Sequence, residues 1–161
     1  MQPLKRIQLF EFEDFDWFPT AFRVSMTNLI NVFHRMRGTE IYVHQKLADI
    51  RKMDPFNSIV DIGSGSGGVM PGVVQALNEA SPDAPVKLLL TDLHPNPSFV
   101  KRINGLNNPH LAYAEESLDA TNLTDTPEGL KTMMNSFHHM PPDKARGIMQ
   151  SAQYNMQPLF I

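Results

Sequence analysis

The sequence predicts an α/β fold, a parallel sheet flanked by helices and preceded by a helical segment, and three observations predict it. From Ser58 onward short apolar runs alternate with segments of helical period, the pattern of strands joined by crossover helices. The run Val86 to Thr91 is apolar after Lys87, as a strand buried on both faces requires. The length of 161 residues gives one domain a real core and is too short for two ordinary ones.

The elements follow in order. Leu9 to Phe18 holds five aromatics among four acids, too irregular for a strand or a helix. Pro19 suits the first turn of a helix, and Phe22, Met26, Leu29, Ile30 and Phe33 form one apolar stripe that Gly38 ends. Thr39 can cap a second helix in which Val43, Leu47 and Ile50 face one way before Asp54-Pro55 breaks the pattern. Ser58 to Ile62 reads as the first strand, and the glycine-rich turn after it leads into a helix aligned on Val69, Val73 and Leu77, with Pro71 in its first turn. Val86 to Thr91 is the second strand, Asn96-Pro97 starts a short helix closed by Gly105, and Leu111 to Ala114 is a third strand. Leu130 to Asn135 is a fourth; Pro142 opens a helix striped by Ala145, Ile148, Met149 and Ala152; Pro158 to Ile161 is a fifth strand. The expected organisation is one domain, with residues 1–55 as a helical lead-in and 56–161 as the α/β core. The ten methionines are scattered over these stripes and strands and read as core filling.

Composition narrows the function classes. A net charge of −3, spread over both halves, gives no electrostatic reason to expect nucleic acid as a partner. There is no cysteine, hence no disulfide framework and no thiolate metal site. No stretch approaches the roughly 18 apolar residues of a membrane span, and the first ten residues lack a signal-peptide core. The expectation is a soluble, cytoplasmic protein.

The chemistry concentrates at Asp61-Ile62-Gly63-Ser64-Gly65-Ser66-Gly67-Gly68. A strand running through a glycine-rich turn into a helix brings backbone N–H groups close to a polar ligand, and glycine is needed where φ is positive or where a Cβ would collide. Gly63, Gly65 and Gly68 also satisfy the spacing of a dinucleotide-binding turn, so the glycines alone do not choose the ligand. Asp92, at the tip of the second strand, can accept both hydroxyls of any adenosine ribose, with an N-cap or turn aspartate as the alternative. Asp61 does discriminate. It stands near the mouth of an apolar strand, where burying a carboxylate is costly without a partner and where a dinucleotide fold usually has an apolar residue.

The pattern Asp61-x-Gly63-x-Gly65-x-Gly67 resembles motif I of class I S-adenosylmethionine-dependent methyltransferases. The resemblance implies a Rossmann-like sheet of five parallel strands in order 3-2-1-4-5 and S-adenosylmethionine as cofactor. It implies that Asp61 helps organise the loop of Gly63, Ser64, Gly65 and Gly67 around the methionine part, with Asp92 and Leu93 at the ribose. Asp119 and Ala120, after the third strand, fall where that family often places an acid beside the adenine amino group, with a plain loop aspartate as the alternative. Asn135-Ser136-Phe137-His138-His139-Met140 looks like the fourth-strand exit of small-molecule members, where a paired-histidine segment sits beside the methyl group. Asp16-Trp17-Phe18-Pro19, with Arg23 and Thr27, resembles the lead-in of some bacterial members. Complete members carry two further strands; the resemblance therefore implies a domain cut short after its fifth strand, or an edge covered by another chain.

Adjacent histidines on an extended strand end point to opposite sides, so His138 and His139 are not expected to share a metal, and no metal site is expected. His138 is the candidate general base or substrate-orienting donor, with plain structural hydrogen bonding at the strand exit as the alternative. Trp17 and Phe18 read as anchors of the first helix rather than as a lid, and Arg23 as an exposed helix arginine. The implied activity is methyl transfer to a small molecule. An NAD(P)-binding oxidoreductase domain and a non-catalytic interaction module, possible through homodimeric pairing of the last strand's edge, are the alternatives.

Overall fold

The computed structural model describes residues 17–19, 22, 25–26, 29–30, 32–33, 36–124 and 126–161; Arg23 and Thr27 lie outside them. The described residues between 22 and 36 are helical up to Met36. Their apolar side chains, Phe22, Met26, Leu29, Ile30 and Phe33 among them, stay largely exposed. Trp17 meets Phe18 edge to face at 6.1 Å, and Phe18 meets Phe22 at 6.2 Å. These aromatics touch one another and Phe22 at the start of the helix, and Trp17 remains 67% exposed.

Gly38, with φ of 67°, makes the left-handed step into helix α1 (Thr39–Met53). Thr39 is the first helical residue and not the cap, because Gly38 occupies that position and no side chain caps the end. Val43 and Leu47, one turn apart, are buried against helix α2 (Met70–Ala80), whose own inward face is Met70, Val73, Val74 and Leu77. Pro71 sits in the first turn of α2, where its missing N–H costs nothing.

Strands β1 (Ser58–Ile62), β2 (Lys87–Thr91), β3 (Leu111–Tyr113), β4 (Leu130–Thr132) and β5 (Leu159–Phe160) form one parallel sheet in the order β3-β2-β1-β4-β5. Helix α3 (Pro97–Asn104) joins β2 to β3, and α4 (Pro142–Tyr154) joins β4 to β5. Asn96 caps α3 by accepting from the Ser98 amide at 2.9 Å. In β1 Ile59, Val60, Asp61 and Ile62 are all buried, as the central strand of a parallel sheet must be. One core joins Ile59, Leu88 and Leu90 to α1, α2 and α3. A smaller one joins Ile62, Leu123 and Ala152 of α4 on the opposite face, since successive strand residues alternate sides.

Several expected boundaries shrink. β2 begins one residue later than predicted, and β3 ends one residue earlier; β4 stops at Thr132 instead of Asn135, and β5 is only Leu159–Phe160. Met133 still donates to the Phe160 carbonyl at 3.0 Å, but Asn135 turns left-handed (φ 64°) and takes the chain out of the sheet. The methionines divide: Met70 and Met133 fill the core, whereas Met36, Met53, Met149 and Met156 are exposed, so Met149 does not belong to the buried stripe of α4.

Lys131 in β4 is completely buried, and its ammonium donates to the carbonyls of Pro127 and, at 3.4 Å, Gly129. Burial pushes its pKa down to about 8, with Glu128 acting in the opposite direction. The charged form therefore costs the folded state below pH 8, and the cost lifts as the pH rises toward the ordinary lysine value. The wild type is expected to gain resistance to urea relative to Lys131→Met between pH 7.5 and 9.5. Parallel stability curves for the two proteins would contradict it.

Candidate functional site

The site grows from the C-terminal end of β1. Register pairs Asp61 with Leu90 of β2 and with Thr132 of β4, so its carboxylate lies between two neighbours and under the turn that follows. Only 2% exposed, it is held from several sides. The Thr132 hydroxyl donates to Oδ1 at 2.6 Å, the Ser64 hydroxyl lies 2.7 Å from Oδ2, and the Met134 amide also bonds it. The Asp61 carbonyl accepts from the Thr91 hydroxyl at 2.9 Å. Burial raises the Asp61 pKa to about 7; Asp92 adds to the rise, and the Thr132, Ser64 and Met134 donors oppose it. Ser64 Oγ also lies 2.8 Å from the Asp61 carbonyl and accepts from the Thr91 amide. Its single proton can go to the carbonyl, leaving a protonated Oδ2 to donate back to Ser64.

The glycine turn folds over this pair. Gly63, Gly65, Gly67 and Gly68 all have positive φ. At Gly63 a Cβ would also fall 2.8 Å from Ser136 Oγ, so the position is closed to side chains on both counts. At Gly65 nothing lies within 4 Å of the Cβ position, and the turn is open there. Three loop amides are engaged internally: Ser64 N–H with the Thr91 carbonyl at 2.9 Å, Gly65 N–H with Asp92 Oδ2 at 2.9 Å, and Gly67 N–H with the Ser64 carbonyl at 2.8 Å.

Asp92 stands one residue past β2, half-buried, its Oδ1 accepting from the His94 amide at 2.9 Å. Leu93 beside it is exposed, and its carbonyl accepts from Ser117 Oγ at 2.6 Å. The Leu118 amide donates to the Asp92 carbonyl at 2.9 Å, which folds the segment after β3 against the β2 exit. Asp119 follows, exposed, but its Oδ1 accepts from both the amide and the hydroxyl of Thr121, and the Thr121 hydroxyl, then its amide, holds the carboxyl below the usual range. Ala120 packs against the smaller core around Ile62. Asp61, Ser64, Gly65, Gly67 and Asp92 thus form one hydrogen-bonded unit, with Gly63 passing between Asp61 and Ser64 against Ser136, while Asp119 closes a turn of its own.

The histidine pair departs from expectation. His138 and His139 lie on a single 3₁₀ turn (Phe137–His139), and their rings approach to 4.0 Å with a tilt of 35° instead of pointing to opposite sides. A 3₁₀ turn advances about 120° per residue, so neighbouring side chains sit on adjoining faces. The segment is tied to the site through Ser136, whose hydroxyl donates to the Ile62 carbonyl at 3.3 Å, and Asn135 lies just before it, exposed. Among the described residues no three His, Asp or Glu side chains are grouped to hold a metal ion.

Sequence reasoning missed four contributors. Thr132 and Ser136 act on Asp61 and Gly63 from β4 and the turn after it; Tyr113 and Arg102 reach the loop carbonyls from β3 and α3. The available signal was a polar residue at each strand exit, Thr91 and Thr132 beside Asp61, but its meaning depended on a register that no spacing along the chain reveals. A groove of about 1190 Å³ between α2 and α3, lined by Gln75, Asn78, Leu88, Ile103 and His110, reaches Ser66 and Gly68 from the other side of the loop and includes neither Asp61 nor Asp92. The carboxylates, not the larger hollow, mark the site, because they are the groups able to bind and orient a polar ligand. No helix among the described residues is long and apolar enough to cross a membrane.

No family model and no curated protein matches the sequence. Solved structures do resemble its fold. The DszA carbon methyltransferase superimposes with a TM-score of 0.59 at 16% identity, over 82% of this chain and 36% of that one. The plantazolicin methyltransferase BamL, solved with a triazolic desmethylPZN analog and SAH, gives 0.54 at 14% identity, over 81% of this chain and 47% of that one. The chain thus has the class I methyltransferase fold, and it spans less than half the length of either structure.

The raised Asp61 pKa has a sign that can be read out. Its folded value lies above the ordinary carboxylate value, so the stability it contributes is complete below pH 4 and is lost as the pH rises through 7. Asp61→Asn, neutral throughout, is expected to flatten the fall in unfolding free energy between pH 4 and 7.5 in urea titrations; a slope equal to wild type would contradict this.

Proposed function

We propose that this chain binds S-adenosylmethionine at the C-terminal edge of its sheet and serves methyl transfer to a small-molecule acceptor. The observation that carries the reading is the electrostatic character of the glycine turn. Ser64, Gly65 and Gly67 spend their amides on internal acceptors, and the Asp61 and Asp92 carboxylates stand beside them. Such a turn carries a carboxylate at its rim, Asp92, which suits a ribose diol and a cationic sulfonium nearby. A dinucleotide needs free amides and no negative neighbour for its pyrophosphate.

The residues divide the work accordingly. Gly63, Ser64, Gly65 and Gly67 form the surface under the methionine part, with Asp61 setting the loop's shape from below. Asp92 accepts from the ribose hydroxyls through the lone pairs its two amide partners leave free. Leu93 offers an apolar face to the adenine, with Asp119 and Ala120 at its far end. When bound, the cofactor would supply a methyl carbon activated by the sulfonium, which the acceptor's lone pair would take as the carbon–sulfur bond breaks and S-adenosylhomocysteine leaves. Asn135 and the turn bearing His138 border the acceptor side, where His138 takes the proton released by the nucleophile. The SAH in the BamL structure supports the cofactor, and the analog bound with it supports a small acceptor.

Calorimetric titration tests this directly. S-adenosylhomocysteine is expected to bind one to one and NAD not at all, and Asp92→Ala is expected to weaken the binding by about tenfold or more, the usual loss for a charge-assisted hydrogen bond. Binding of NAD in place of S-adenosylhomocysteine, or an Asp92→Ala variant of unchanged affinity, would overturn the assignment.

A further inference from the structure

We propose that Tyr113 and Arg102 are positioning residues that hold the crest of the glycine turn in its ligand-binding shape from beneath; the ligand side of this proposal rests on the cofactor reading above. The turn is short of its own constraints at the crest. Gly65 has open space where a side chain would be, and four glycines with positive φ leave the backbone few steric limits. The Ser64, Gly65 and Gly67 amides are already engaged, and the crest is held further through its carbonyls. Both carbonyls at the crest are taken by side chains from distant elements. The Tyr113 hydroxyl donates to the Gly65 carbonyl at 2.9 Å, and Arg102 Nη2 donates to the Ser66 carbonyl at 2.9 Å.

Each donor is itself fixed. Tyr113 is 2% exposed at the end of the edge strand β3. The Ala114 amide bonds back to Leu90 of β2, so the Tyr113 N–H and carbonyl face away from β2. There Asn104, the last residue of α3, takes the place of a strand partner among the described residues: its Oδ1 accepts from the Tyr113 amide at 2.8 Å and its Nδ2 donates to the Tyr113 carbonyl at 3.0 Å. Arg102, two residues earlier on α3, lies over the Phe99 ring at 5.0 Å, which orients the guanidinium toward the loop. Burial first, and then the Asp92 and Asp61 charges, holds the Tyr113 phenol well above its ordinary range, so it stays a donor at any working pH. Gly65 is thereby gripped at both ends of its peptide units, its amide by Asp92 and its carbonyl by Tyr113. Losing the hydroxyl frees the residue whose amide holds Asp92 Oδ2, leaving the His94 amide on Oδ1.

Tyr113→Phe removes the hydroxyl and keeps the buried ring. Amide hydrogen exchange at Gly65, Ser66 and Gly67 is expected to quicken about five- to tenfold, the effect of one lost hydrogen bond, while exchange in β1 and β2 and the melting temperature change little. S-adenosylhomocysteine affinity is expected to fall by a similar factor. Arg102→Ala should act in the same direction and Arg102→Lys, which restores a donor, should recover most of the loss. Unchanged loop exchange together with unchanged affinity in Tyr113→Phe would overturn the proposal, as would a loss spread evenly over the whole sheet. Should the wild type fail to bind S-adenosylhomocysteine, the cofactor reading falls, and the exchange rates alone then decide for or against the latch.

Discussion

The site depends on one buried carboxylate. Asp61 lies at the end of the central strand, and through Thr132 and Ser64 it joins β4 to the turn that leaves β1. A charge in that position is costly unless it is partnered, and the protein answers with hydroxyl and amide donors together with a pKa near 7. The consequence is geometric. Ser64 is drawn down toward the sheet, Gly63 must then pass against Ser136, and Gly65 is left on top, facing open space and Asp92. A neutral apolar residue at this position would leave the Thr132 hydroxyl without its acceptor and Ser64 held by main-chain groups alone.

This inward-turned loop also explains why its glycine spacing is ambiguous while its chemistry is not. The same G-x-G-x-x-G interval can wrap a pyrophosphate with free amides, or it can spend those amides internally and present a negative rim. Here Thr91, Asp92 and Ser64 take them. The difference lies in the partners of each N–H, which is why Asp61 discriminated better than any glycine. The fold shared with the DszA and BamL methyltransferases agrees with this reading at the level of architecture.

Much of the fold was legible because parallel sheets write themselves plainly. Ser58 to Ile62 and the helix from Asn96 to Gly105 needed only apolar runs and Asn-Pro punctuation. The strand order came from the resemblance carried by the glycine motif, and the structure bears it out. What was hidden depends on contacts distant in sequence or on unusual backbone. The left-handed Asn135, which ends β4 early and winds the histidines into one 3₁₀ turn, has no mark in an apolar pattern. The Tyr113 hydroxyl meets a carbonyl 48 residues away, and Thr132 meets a carboxylate 71 residues away; neither spacing means anything until the register is known. The exposed stripe from Phe22 to Phe33 was the opposite case, a clear period whose periodicity said nothing of burial.

The central claim is that the turn over Asp61, together with Asp92, forms the binding surface. Mapping amide chemical shifts while S-adenosylhomocysteine is added tests it residue by residue. The largest changes are expected at Gly63, Gly65, Gly67 and Leu93, with the lining of the groove between α2 and α3 at Gln75 and Asn78 nearly still. Shifts concentrated in that groove, with the glycine turn unmoved, would contradict it.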